Sequence, residues 1–343
     1  MRRRKIRNLL RIARALKERH AYSRENIGKI LRLAKEGGLK KWEKEQLYRL
    51  MNDRPLIRAD AIEELAFSKD KRFGFIVRLF LKDPNKEVRK SAIKALTVLE
   101  CREYAEEIAE MLKDQSAEVR AAAAEALARL GIKDTHKLIE ALKDKNSEVR
   151  KAAIFALSEL KDKRSVNALG KVALEDKNVG VRVYAVWALP EIGKSREAQR
   201  ILIKALEDRS AEVRAYAAEG LSNWPDSIKI LLERLKREKD DKVKDVIAIA
   251  IGKIGRKECA KILLDLLSKK VCSRKAVGEA LEILAQKLDT QNKLLKVFLA
   301  REPPLKRGLI ALGIVLGVID VGSIEKVVKS SANKILKYIE KKI

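Results

Sequence analysis

Histidine, cysteine, aromatic side chains and long apolar runs are all scarce in this 343-residue chain, and each scarcity excludes a class of chemistry. The two histidines, His20 followed by Ala and His136 followed by Lys, form no His–Glu pair for iron and sit beside no Ser or Cys nucleophile as a base. Cys101, Cys259 and Cys272 lack CxxC spacing and a histidine companion, which argues against zinc, haem and iron–sulfur sites. Lone thiols of this kind read as small buried hydrophobes in a reducing, cytoplasmic setting. No glycine-rich phosphate loop is present. The most apolar stretch, residues 309–322, is broken by Asp320 and several glycines and falls short of the roughly 20 residues that cross a bilayer. The expectation is a soluble, non-enzymatic protein with no membrane span, no metal and no cofactor.

What the chain has in abundance is Ala, Leu, Ile, Lys, Arg and Glu: 46% of its residues are hydrophobic, 37% charged and only 4% aromatic. That is a helical composition in which many small contacts replace a large aromatic core. Its many charges and few Gln also fit a thermostable protein.

The stretch DKNSEVRKAAIFALSEL at residues 144–160 recurs along the chain. Each copy has an acid, then six residues later a base preceded by Val, then small or aliphatic residues three, four, six, seven and ten positions beyond the base. Copies run from Asp83 to Arg89, Asp114 to Arg120, Asp144 to Arg150, Asp176 to Arg182 and Asp208 to Arg214. Glu238 to Lys244 is a softened copy, and Arg58 and Arg274 mark weak ones. The eight basic anchors lie 30 to 32 residues apart, a period that indicates a stacked array rather than a single compact core.

Positions 3, 4, 7 and 10 after each anchor share one stripe of a 3.6-residue helix, so every repeat contains a motif helix with one buried face. Alanines at positions 3 and 6, such as Ala153 and Ala156, keep that face thin. A first helix precedes each motif helix, near 73–82, 103–113, 134–143, 164–175, 196–207, 226–237 and 257–268. Acids in the intervening turns are placed to cap the motif helices. The predicted fold is therefore all-α: an α-solenoid, a superhelix of stacked antiparallel helix pairs with about eight recognisable repeats plus degenerate ends. The segments are basic N-terminal helices over 1–38, one continuous repeat array over 39–285, and a degenerate repeat with a capping helix at about 323–341 over 286–343.

With its Asp-x5-Arg, the Val before the Arg and Ala-Ala-x-Ala-Leu after it, the unit resembles HEAT repeats, in particular the short type related to the phycobilisome lyase repeats. The resemblance covers about residues 40–285. It implies that the motif helices line a concave side and that Asp and Arg of neighbouring repeats form an internal ladder. Arg89, Arg120, Arg150, Arg182 and Arg214, with Asp83, Asp114, Asp144, Asp176 and Asp208, are then structural and not a binding site. Lys244 and Arg274 lack the matching Asp, which implies that the ladder fades toward the C-terminal end. HEAT-like DNA glycosylases use Asp, Arg and aromatics on a basic concave face; no local motif here identifies one, and that activity stands as a minor alternative.

Two groups of candidate binding residues remain. Residues 1–50 hold 17 Lys or Arg against 5 Asp or Glu, a net +12 of the chain's +28. Arg2, Arg3, Arg4, Lys5, Arg7, Arg11, Arg14 and Lys17 surround an apolar stripe of Ile6, Leu9, Ala13 and Leu16, and such a segment attracts phosphates of RNA or DNA. On the motif helices, positions 1, 2, 5, 8 and 9 after the anchor face a groove, where Phe155, Tyr184, Trp187, Tyr216 and Asn223 fall in three successive repeats. These rings either bind a partner or cover neighbouring helices. The expected function is a binding scaffold that docks on nucleic acid or a nucleoprotein particle through its N-terminal helices. The alternative is a protein–protein interaction scaffold that uses the aromatic groove.

Overall fold

Asn85, Asn146 and Asn178 each turn a side-chain oxygen onto N–H groups of the helical turn that follows, and motif helices begin at those points. The computed structural model describes residues 40–288, 303–315, 319 and 330–341. Among them the chain forms 18 α-helices and no strand. The motif helices are α2 (Pro55–Phe67), α4 (Lys86–Val98), α6 (Ala117–Arg129), α8 (Ser147–Glu159), α10 (Val179–Ile192), α12 (Ala211–Leu221), α14 (Asp241–Ile254) and α16 (Arg274–Leu288). Each follows a first helix: α1 (Lys41–Arg49), α3 (Gly74–Val77), α5 (Ala105–Glu110), α7 (Thr135–Ala141), α9 (Val166–Glu175), α11 (Arg196–Ala205), α13 (Ile228–Arg237) or α15 (Glu258–Ser268). Then come α17 (Pro304–Val315) and α18 (Ala332–Glu340). This alternation is an α-solenoid of helix pairs.

The expected first helices at 73–82 and 103–113 are not continuous α-helix. Their ends tighten into 3-10 turns, Arg78–Lys82 and Met111–Lys113, which stop at Asp83 and Asp114. The final helix starts at Ala332, and residues 323–329 of the expected span lie outside the described residues, as do residues 1–38.

The chain groups into two compact units, Met1–Ala168 and Leu169–Ile343, with the boundary inside α9. In the first unit α2, α4, α6 and α8 pack in succession. In the second, α10, α12, α14, α16, α17 and α18 do so. The buried stripe of each motif helix is the one expected: in α8, Ala153, Ile154, Ala156 and Leu157 are fully buried. Helices approach closely between α14 and α16, where a Cβ on Gly252 would run into the backbone of Ala280, and more closely still between α16 and α17, where one on Gly278 would run into that of Leu305.

The ladder is present, and its direction is defined. Arg89 Nε and Nη2 donate to Asp114 at 2.7 and 2.8 Å, while its Nη1 donates to the Asp83 and Pro84 carbonyls at 2.8 and 3.0 Å. Each arginine thus closes its own turn and grips the acid of the following repeat. Arg120–Asp144 repeats the arrangement in the first unit, and Arg182–Asp208 in the second. The acids in turn accept a backbone N–H two residues on, as Asp208 does from Ser210 at 2.7 Å.

The weak N-terminal copy is a full rung, since Arg58 donates twice to Asp83 at 2.9 Å. Glu238, the softened acid, completes the rung of Arg214 at 2.8 and 2.9 Å with its longer side chain. Beyond it the ladder stops. Lys244 pairs with Asp241 of its own helix at 2.7 Å, and Arg274 bonds to Asn333.

Candidate functional site

The register that buries Ala185, Val186 and Leu189 of α10 leaves Tyr184 and Trp187 on the opposite face, 44% and 37% exposed. In α12 the same register buries Ala217, Ala218 and Leu221 and leaves Tyr216 37% exposed. Trp187 and Tyr216 line one cleft of about 530 Å³ in the second unit, with Pro190 and Gly220 beside them. Tyr184 stands edge-on to Trp187, ring centroids 6.5 Å apart and planes at 65°.

The rim of the cleft is polar. Glu191 and Ser222 border it, Lys253 holds Glu219 at 2.5 Å, and the Lys287 ammonium donates to the Lys253 carbonyl. Pro190 sits inside α10 and supplies no N–H to the Val186 carbonyl one turn back, so the helix loses a bond beside Trp187.

Of the five groove residues read from the sequence, Trp187, Tyr216 and Asn223 meet in this cleft. The Asn223 amide donates to the Gly220 carbonyl at 3.0 Å and closes the end of α12. Phe155 is half-buried on α8, in the other unit. The basic candidates Arg2, Arg3, Arg4, Lys5, Arg7, Arg11, Arg14 and Lys17 lie outside the described residues. Glu191, Glu219, Ser222 and Lys253 were not singled out, although they occupy positions 9, 5, 8 and 9 after their anchors. The outward-facing register marks them as well as the rings.

A larger cleft, about 960 Å³, runs along the N-terminal ends of α4, α6 and α8. Several of its polar groups are spent within the fold: Asn85 and Asn146 cap their helices, and Lys86 pairs with Glu118 at 2.7 Å. Burial pushes the Cys101 thiol up to about 11 and the Cys272 thiol up to about 12, so both stay protonated inside their packing. Among the described residues no cluster of His, Cys, Asp and Glu is arranged to hold a metal, and no helix is long and apolar enough to cross a membrane.

No curated protein sequence matches the chain. Among solved structures, the Escherichia coli protein YibA is 26% identical over 76% of this chain and 97% of its own, with a TM-score of 0.52. Kap95p bound to RanGDP is similar in fold alone, at 11% identity and TM-score 0.56 over 97% of this chain and 55% of that one. The CpcE–CpcF phycocyanin lyase of Nostoc is 20% identical over 71% of this chain and 94% of that one, with a TM-score of 0.40. The family model described as HEAT repeats matches residues 75–137, 135–222 and 200–285, more than half of the chain, and the chain belongs to that family.

Proposed function

We propose that this HEAT-repeat chain is a protein-binding scaffold whose second unit holds a segment of a partner polypeptide against Trp187 and Tyr216. The observation that carries the reading is the pair of rings, each 37% exposed, in one cleft of a chain with 4% aromatics. Exposed aromatics that converge in a pocket are the usual anchors of protein interfaces. The rim favours a polypeptide over nucleic acid. Its lining charges cancel, Lys253 and Lys287 against Glu191 and Glu219, so the cleft offers no net positive charge to a phosphate backbone. None of the lining residues is a His or Cys, and the role is read as non-enzymatic. Kap95p, alike in fold, is seen in complexes with RanGDP and with Nup1.

The test is to pan a displayed peptide library on the wild-type protein and on Trp187→Ala/Tyr216→Ala. Enriched peptides should lose about 30-fold or more in affinity for the double variant, the equivalent of roughly 2 kcal/mol. Its melting temperature should stay near wild type. Peptides that bind both proteins equally would place the interface elsewhere, and a large drop in melting temperature would make the rings part of the core.

A second reading is favoured by one sequence observation, the net +12 of residues 1–50, and assigns nucleic-acid docking to the N-terminal segment.

A further inference from the structure

Residues 251–343 hold 20 Lys or Arg against 9 Asp or Glu, an excess almost as large as that of the N-terminal segment. Part of it gathers at one edge of the second unit. Earlier turns of the array present a ladder acid six residues before the anchor: Asp83, Asp114, Asp144, Asp176, Asp208, Glu238. Before α16 that place is taken by Ser268, the last residue of α15, followed by Lys269 and Lys270, and Arg274 and Lys275 open α16. The register has lost its carboxylate there, and two lysines follow.

The α18 helix adds to the same edge. The Arg274 guanidinium donates to Asn333 Oδ1, which ties the start of α16 to the start of α18. Lys337 stands one turn beyond Asn333, and Lys334, Lys337, Tyr338 and Lys341 make a continuous stripe at three- and four-residue spacing. Ile335 and Ile339 face the other way and are buried, so the stripe is turned outward, with Tyr338 50% exposed.

Some exposed cations elsewhere meet acids of a neighbouring repeat, as in Lys71–Glu100, Lys86–Glu118, Arg196–Asp226 and Arg237–Glu207, while others, such as Lys94, Lys133 and Lys204, make no ion pair among the described residues. Lys270, Arg274, Lys275, Lys334, Lys337 and Lys341 are all exposed and make no ion pair among the described residues.

We propose that this edge, from the α15–α16 turn across to α18, binds the phosphate backbone of nucleic acid. Charges of one sign, left unpaired and spread over two helices, suit a ligand of uniform charge density whose counterions are released on binding. Lys334 to Lys341 spans about 10 Å of helix, which matches roughly three phosphates of one strand. Tyr338, within the stripe, offers a ring to an unpaired base. The proposal shares its partner class with the N-terminal reading but stands on different residues, so the experiment varies the two segments separately.

Binding of a labelled 20-base-pair DNA duplex, and of a single-stranded RNA of about that length, is measured for the full chain between roughly 50 and 200 mM salt. The variants are Lys270→Gln/Lys275→Gln/Lys334→Gln/Lys337→Gln and, separately, Gln at Arg2, Arg3, Arg4, Lys5, Arg7, Arg11, Arg14 and Lys17. The first variant removes charges that hold no partner among the described residues, so its melting temperature should match wild type. Its affinity at the lowest salt should fall at least tenfold, and the salt slope should shrink by about 3 to 4, near one for each phosphate that is no longer neutralised. A slope and affinity equal to wild type overturn the proposal whatever the second variant does. Absence of binding by the wild type overturns it together with the N-terminal reading. A loss confined to the first variant sinks the N-terminal reading alone. Competition by an acidic peptide with a shallow salt slope, and no binding of either oligonucleotide, would convert the edge into a protein contact and end the proposal.

Discussion

Among the described residues Arg182 is the largest side chain with no more than 2% of it exposed. A guanidinium taken out of water costs several kcal/mol unless every donor finds an acceptor, and here Asp208 and the Asp176 carbonyl provide them at 2.8 to 2.9 Å. Truncation leaves the partner stranded. Arg182→Ala should lower stability by about 3 to 5 kcal/mol, because the Asp208 carboxylate stays buried without its cation. A chemical denaturation midpoint close to wild type would contradict this. The same rung predicts acid lability. Burial alone would raise the Asp208 carboxyl, but Arg182 and the Ser210 N–H outweigh it and hold the group below its ordinary value. Asp144 is lowered in the same manner by Arg120 and the Asn146 N–H. A depressed folded-state value contributes stability that is complete above the unfolded value of about 4 and is lost as pH falls through the folded one. Wild-type stability should therefore decline below about pH 4, and Arg182→Ala should show less of that decline.

At the scale of the helix, small residues set the distance between neighbours. Ala153 and Ala156 of α8 are fully buried, and only methyl groups separate that face from what packs on it. Ala153→Leu adds three carbons where no room exists and should cost about 1 to 3 kcal/mol through displaced side chains. A variant that melts with the wild type would mean that the buried face is misassigned. This face was legible in the sequence because burial imposes a strict period, whereas the ladder role of Arg89, Arg120 and Arg182 was implied by the resemblance to HEAT repeats that their recurring Asp-x5-Arg unit carries. The broken first helices at Gly74–Val77 and Ala105–Glu110 were not legible. Their 3-10 ends depend on where the following Asp must arrive, which is a tertiary demand with no local signature.

For the molecule as a whole, charge is the property least evenly shared. Residues 51–240 carry 38 Lys or Arg against 33 Asp or Glu, and the remaining excess sits toward the two ends of the sequence. The aromatic cleft could be found from sequence to the extent that its rings follow the motif register. Lys287 could not, because its bond to the Lys253 carbonyl depends on how α16 packs against α14. The basic edge was hidden for a related reason. Arg274 and Asn333 are 59 residues apart, and the repeat signal that would have aligned them has decayed by then.

The end of the ladder at Glu238 also bears on which parts of the second unit open first. Upstream, a motif helix cannot swing out without breaking two charge-assisted bonds to the next repeat, as at Arg182–Asp208 and Arg214–Glu238. Downstream, Lys244 is satisfied within its own helix, so α14 and α16 are joined by packing and by single bonds such as Ser273 N–H to Asp245. Excursions from the native state should then begin at α16 to α18 and stop at the last rung. Native-state hydrogen exchange should find the amides of α16 deuterated through a sub-global opening, at lower free energy than those of α10 and α12. Arg214→Lys, which keeps the charge but loses the two-pronged grip on Glu238, should extend the fast-exchanging block to include α14.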